Sequence, residues 1–319
     1  MSMHFRDLAA QAAAAGQISA EEILELRQAG WADGKMDPDE AETLFHANDH
    51  LAEPTAEWCD FFVEALSEFV VNTVDPKGYV DPDMGEELVL RIDRDGRVGT
   101  LAELELLVRV SEKAISLPGP LKAYALKQIE DAVLNGDGPT RHGSLDAAGI
   151  NATECALLRR LIFAPGSDRP AAVGKAEAEM LFRIKDAALY ENNAPDWEKL
   201  FVQGVANFLL GFGGKEPLPI ERAAELEAFM GAEGAGVGSF LARMMKSDVE
   251  DSVGQAFGSL LDIAPNAAGI DEQVEEALQL TEAEEVWLLD HIDLDEELDP
   301  MEKALLAFIA DETGEAPQC

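Results

Sequence analysis

The chain has 319 residues, 47% of them apolar, and carries 24 Lys and Arg against 63 Asp and Glu, a formal charge of −39 at neutral pH. That length and apolar content support a buried core and about two domains. The charge repels nucleic acid phosphates and anionic membrane surfaces, and favours cations and basic protein faces.

Three widely separated cysteines, Cys59, Cys155 and Cys319, argue against a disulfide framework or a zinc ribbon and point to a reducing cytoplasm. No run of about 18 apolar residues offers a bilayer span. The Ala-rich stretch at 12–15 is too short and too weakly apolar for a secretory leader.

In chain order, residues 1–18 read as a short Ala-rich helix or N-terminal arm. Ser19 with Glu22 three residues later is a capping-box signature, and it opens a helical region over 19–134. Breaks fall at Pro54 and at 75–78, 93–99 and 118–120. Residues 135–149 are polar, Gly-rich and aperiodic, a linker. A second helical region runs over 150–312, with an insertion at about 231–288 that Gly231, Gly234, Gly236 and Gly238 open, and residues 313–319 form a tail.

The two helical regions share a block. Trp58, Phe61, Phe62, Ala65, Leu66, Phe69 and Val70 recur as Trp197, Leu200, Phe201, Gly204, Val205, Phe208 and Leu209, both sets at helical steps of three and four. Upstream, residues 39–45 are echoed by 176–182. Period-2 runs of β-branched residues are short, so the expected fold is all-α: an internally duplicated helical-repeat domain built from helix-loop-helix units. The aromatic faces at Trp58 and Trp197 are core positions, since neither brings basic residues for stacking nucleic acid.

Within each half a smaller unit recurs: an acidic or Gly-containing loop, one apolar residue, then a helix that opens with carboxylates. Met36, Val80, Val98, Val173, Leu218 and Leu298 occupy the apolar place. This layout resembles a degenerate EF-hand, in which a Gly makes the sharp turn, neighbouring loops join through a short β bridge, and a Glu at position 12 closes the oxygen cage. Residues 291–302 fit best, with Asp293, Asp295, Asp299 and Glu302 on ligand positions, but His291 replaces the first Asp and Glu296 the Gly. Asp33, Asp37 and Glu40 form a second partial set. In the loop with Asp93, Asp95 and Gly96, Ala102 stands at the closing position beside Glu103. Metal-binding residues read this way are Asp293, Asp295, Asp299, Glu302, Asp33, Asp37 and Glu40, for Ca²⁺ or Mg²⁺ at a Kd of about 10⁻⁴–10⁻³ M.

The half-motif Trp31-Ala32-Asp33-Gly34-Lys35-Met36-Asp37 with Glu40 also resembles the tellurite-resistance TerB-like helical family. That resemblance implies an acidic, cation-associated, non-enzymatic module linked to stress or envelope processes. The same residues have a bland reading. Carboxylates in a first helical turn stabilise it through the dipole and the free N–H groups, and Asp-Gly is a turn sequence whatever the function.

Other constellations are poorer. Glu42, His46 and His50 share one helix stripe, but the second copy has Glu179, Arg183 and Ala187 there. Residues 234–239 are Gly-rich without the strand before or the Gly-Lys-Ser/Thr after that a phosphate cradle needs. No Gly-x-Ser-x-Gly elbow is present, and no cofactor is implied. The expected function is therefore a cytoplasmic, non-enzymatic acidic interaction or regulatory module with weak calcium binding, whose partner is a protein with a basic surface and neither nucleic acid nor membrane. The alternative is an acidic nucleic-acid mimic that occupies a basic partner surface.

Overall fold

The computed structural model describes residues 3–30, 36–52, 54–73, 75–141, 149–166, 172–211, 282–292 and 298–313. Of these, 72% are helical, in twelve helices, which makes the fold all-α. In order they are α1 (Met3–Ala15), α2 (Ala20–Gly30), α3 (Pro38–His50), α4 (Ala56–Asn72), α5 (Pro82–Ile92), α6 (Leu101–Lys113), α7 (Gly119–Asn135), α8 (Ala152–Ile162), α9 (Lys175–Ala188), α10 (Trp197–Leu209), α11 (Glu282–His291) and α12 (Pro300–Thr313). One two-stranded hairpin, β1 (Asp93–Arg94) with β2 (Arg97–Val98), lies between α5 and α6.

Seven of the described helices start where the sequence supplies a side-chain acceptor for the free N–H groups of a first turn. Ser19, Asp37, Thr55, Asp81, Thr100, Asn151 and Asp299 each accept a bond from the backbone N–H three residues on. Helix α7 ends at Gly136, whose φ of 68° is the left-handed value a glycine adopts without strain.

The buried residues of the described helices form one contiguous cluster from Phe5 to Ile309. Helices α2 and α3 pack on α4, α4 packs on α6, and α6 meets α7 and α8. Helix α7 continues onto α9, α9 onto α10, and α10 onto α12. Trp58 and Trp197 are both buried. Phe45 meets Phe62 edge-on with centroids 5.5 Å apart, and Phe182 meets Phe201 in the same way at 5.2 Å. Such pairs add to the area they bury.

The segment read as a helix or N-terminal arm is helix α1, and it belongs to this core. Phe5, Ala9 and Ala12 are buried, and α1 packs against α2 and α3. The ring of Phe5 lies against Gly30, where an added Cβ would come within 2.9 Å of it. Most of the insertion expected at 231–288 lies outside the described residues, as does Leu218.

Of the recurring apolar residues, Met36, Val80, Val98 and Val173 are buried, and Leu298 is partly buried against the core. The bridges expected between these positions form differently. Val98 pairs with Asp93 inside its own hairpin, and Tyr79, next to Val80, bridges Ser116. Asp95 and Gly96 have φ of 56° and 86°, so Asp95-Gly96 is the two-residue turn with both φ positive that suits a tight hairpin. The Asp-Gly signal there specifies strand reversal, and the calcium-hand pairing of one loop with another is absent among the described loops.

Gly166 is buried where α6 and α8 end side by side, and its N–H donates to the Ser111 carbonyl at 3.1 Å. A Cβ there would stand 2.6 Å from that carbonyl oxygen, a backbone atom with little freedom to move. Gly166→Ala is expected to lower the unfolding free energy by about 2 kcal/mol, as overpacking does, read from the urea midpoint at constant slope.

Candidate charged site at the helix caps

Positions 9 and 12 of a calcium hand stand three residues apart at the start of a helix, and so do the N-cap and third residue of a capping box. Among the described residues the capping-box bonds are formed. Asp37 accepts from the Glu40 N–H at 2.8 Å while Glu40 Oε2 accepts from the Asp37 N–H at 3.1 Å. Asp299 and Glu302 make the same exchange at 2.9 and 3.0 Å. Thr100 with Glu103 and Asn151 with Glu154 repeat it. At α9 the N-cap is Gly174, which has no side chain, so only the Glu177 half forms, at 2.6 Å.

In these boxes the third-residue glutamate turns inward. Glu40, Glu103, Glu154 and Glu302 are buried. A buried carboxylate needs a cation or several donors, and at Glu103, Glu154 and Glu302 the fold delivers Lys or Arg from elsewhere. Arg141 grips Glu154 through Nε and Nη2, both at 2.6 Å, and Thr140 Oγ1 adds a bond at 2.7 Å. Lys122 reaches Glu177 from α7 at 2.7 Å. Arg94 of the hairpin joins Glu103 at 3.4 Å and Asp49 at 2.6 Å.

The strongest convergence is at α12. Lys185 of α9 is buried, and its Nζ donates to Asp299 Oδ2 at 2.6 Å and Glu302 Oε1 at 2.7 Å, with Asp186 Oδ1 at 3.0 Å. Burial alone lowers an ammonium pKa, but the bonds to Asp299, Glu302 and Asp186 outweigh it and raise that of Lys185. Burial likewise pushes the Asp299 carboxyl up, while Lys185 and the first-turn N–H groups pull it down further, so it ends below its ordinary value. An ammonium at these distances occupies the space a divalent cation would need between Asp299 and Glu302.

Of the residues assigned to metal, the structure thus brings Asp299 and Glu302 together around Lys185, and Asp37 and Glu40 together in a separate cap. Asp33, Asp293 and Asp295 lie outside the described residues, as do residues 31–35 that carry most of the TerB-like half-motif. Among the described residues, no group of three or more His, Cys, Asp or Glu is arranged to hold a metal ion. Glu42 pairs with Arg91, and His46 stacks on His50 at 4.3 Å while its carbonyl bonds His50 Nδ1.

Sequence reasoning did not find the partner cations. Lys185 is 117 positions from Glu302, and Arg141 sits in a stretch without periodicity. The one local signal was Glu three residues after each N-cap, which marks the carboxylate and says nothing of its partner. Comparison with protein-family models, with curated proteins and with solved structures finds no match to this chain.

Glu154→Ala leaves the Arg141 guanidinium buried without its partner, and Lys185→Met leaves Asp299 and Glu302 facing each other. Each is expected to cost about 3–5 kcal/mol in urea denaturation. The pH dependence has two signs. The Arg160 bond holds Glu112 below its ordinary pKa, and Asp299 is also depressed, so their contributions are present above pH of about 4 and fade as pH falls through the folded values. Burial raises Glu103 despite Arg94 and Thr100, so its contribution is full at low pH and is lost as pH rises through the folded value. Asp299→Asn and Glu112→Gln should therefore flatten the loss of stability between pH 5 and 3. Glu103→Gln should cost less at pH 7 than at pH 4.

Proposed function

We propose that this chain is a non-enzymatic acidic interaction module, whose exposed carboxylates engage a protein partner with a basic surface. The observation that supports this reading is the division of its charge. Buried carboxylates such as Glu103, Glu154 and Glu302 are matched inside the fold by Arg94, Arg141 and Lys185. Those matches consume cations from a set of 24, and the chain keeps a net charge of −39. A field of that sign steers basic partners and speeds their association.

Divalent cations enter this reading as weak ligands. With Lys185 seated between Asp299 and Glu302, an internal ammonium holds those oxygens, and Ca²⁺ or Mg²⁺ binds diffusely to the exposed carboxylates, no tighter than the weakest hands at a Kd of about 10⁻⁴–10⁻³ M. The TerB-like resemblance is compatible with the same role, with Asp37 and Glu40 serving as a helix cap.

Calorimetry separates the components. Decalysine is expected to bind the wild type with an affinity that falls at least tenfold between about 0.05 and 0.2 M salt, as screening requires. Ca²⁺ should give the same weak heats with wild type and with Glu302→Gln. A Ca²⁺ isotherm abolished by Glu302→Gln would make the loop at 291–302 a specific ion site and the module a cation-regulated one. Failure of decalysine to bind would remove the basic-partner reading.

A further inference from the structure

Between α7 and α9 lies a groove of about 530 Å³ whose lining reverses the charge of the chain. Leu117, Leu126 and Met180 form its apolar floor, all three buried against the core. Lys122, Lys127, Lys175 and Arg183 line it, against Glu130 and Glu177 alone among acids. Over the whole chain acids outnumber cations 63 to 24, so this balance is opposite in sign to its surroundings.

The four cations divide into two kinds. Lys122 bonds Glu177 at 2.7 Å and Arg183 bonds Glu130 at 2.6 Å, and both pairs cross from one helix to the other and hold the walls together. The Lys127 and Lys175 side chains are 61% and 64% exposed and, among the described residues, pair only along their own helices, with Asp131 and, at 3.9 Å, with Glu179. Exposed pairs of that type hold their partners loosely, so these two ammonium groups are available to an incoming anion.

We infer that the groove binds a small amphiphile with a carboxylate head and an aliphatic body. Its volume falls in the range of about 300–1,000 Å³ found for small-molecule sites, and an apolar lining with a few polar groups is their usual chemistry. The floor of Leu117, Leu126 and Met180 receives the aliphatic chain, and Lys127 and Lys175 receive one carboxylate oxygen each. The guanidinium of Arg183 is engaged with Glu130, so the site offers point charges and lacks the planar fork that favours phosphate. A ligand drawn here moves against the field of the rest of the surface, which makes the local charge the deciding contribution.

The test uses the full chain in about 0.15 M salt and two probes of equal chain length, octanoate and 1-octanol, followed by calorimetry. Wild type is expected to bind octanoate at least tenfold more tightly than octanol, and the double variant Lys127→Gln/Lys175→Gln should lose that preference while keeping its helical circular dichroism. Both positions are exposed, so loss of the fold is not expected to obscure the result. The inference is overturned if octanol binds as tightly as octanoate, if the double variant keeps the preference, or if neither probe binds. Binding of decaglutamate without octanoate would also overturn it, by making the groove a peptide site.

Discussion

A glutamate at the third position of a helix, turned inward, is the constraint on which much of this structure rests. In the first turn its carboxylate takes the N-cap backbone N–H, which no intrahelical bond can satisfy. Turned inward, it also needs a positive partner, since an unpaired charge in a core costs several kcal/mol. At Glu154, Glu177 and Glu302 this makes two demands, one local and one tertiary. The local demand places the helix start, and the tertiary one brings a distant segment to that start. Arg141 ties the stretch after α7 to α8, Lys122 ties α7 to α9, and Lys185 ties α9 to α12.

The same logic explains why the acidic loops resemble calcium hands. A hand puts oxygen at positions 9 and 12 because its second helix begins there, and any helix begun by Asp-x-x-Glu reproduces that part of the pattern. What separates the two cases is the cation between the carboxylates. At α12 that place is taken by Lys185, a charge carried on the chain itself and present at every ion concentration. The cap is then held by a cation that folding itself supplies.

Helical periodicity made α4 and α10 legible in the sequence, because an apolar face recurring at steps of three and four admits one assignment, and both copies carried it from a Trp. Ser19 with Glu22 was equally plain as a helix start, whereas Asp37 with Glu40, the same spacing, was read as a pair of metal ligands. The hairpin at 93–98 was harder, since Asp-Gly between charged residues serves an ion loop or a two-residue reversal, and only the pairing of Arg94 with Arg97 distinguishes them. The partner cations had no local signature at all. The two similar sequence blocks carry one further difference: Asn48 accepts the Trp58 indole N–H at 3.1 Å, while counting on from Phe182 reaches Lys185, which cannot accept, and the Trp197 indole N–H has no partner among the described residues.

The bond between Lys185 and Glu302 closes a chain segment of 117 positions. Polymer statistics make the entropy of such a closure nearly indifferent to its size, because doubling the span costs only about 0.6 kcal/mol. Once α9, α10 and α12 are packed, the demand on sequence therefore falls on Lys185, Asp299 and Glu302, the few residues that hold the closure.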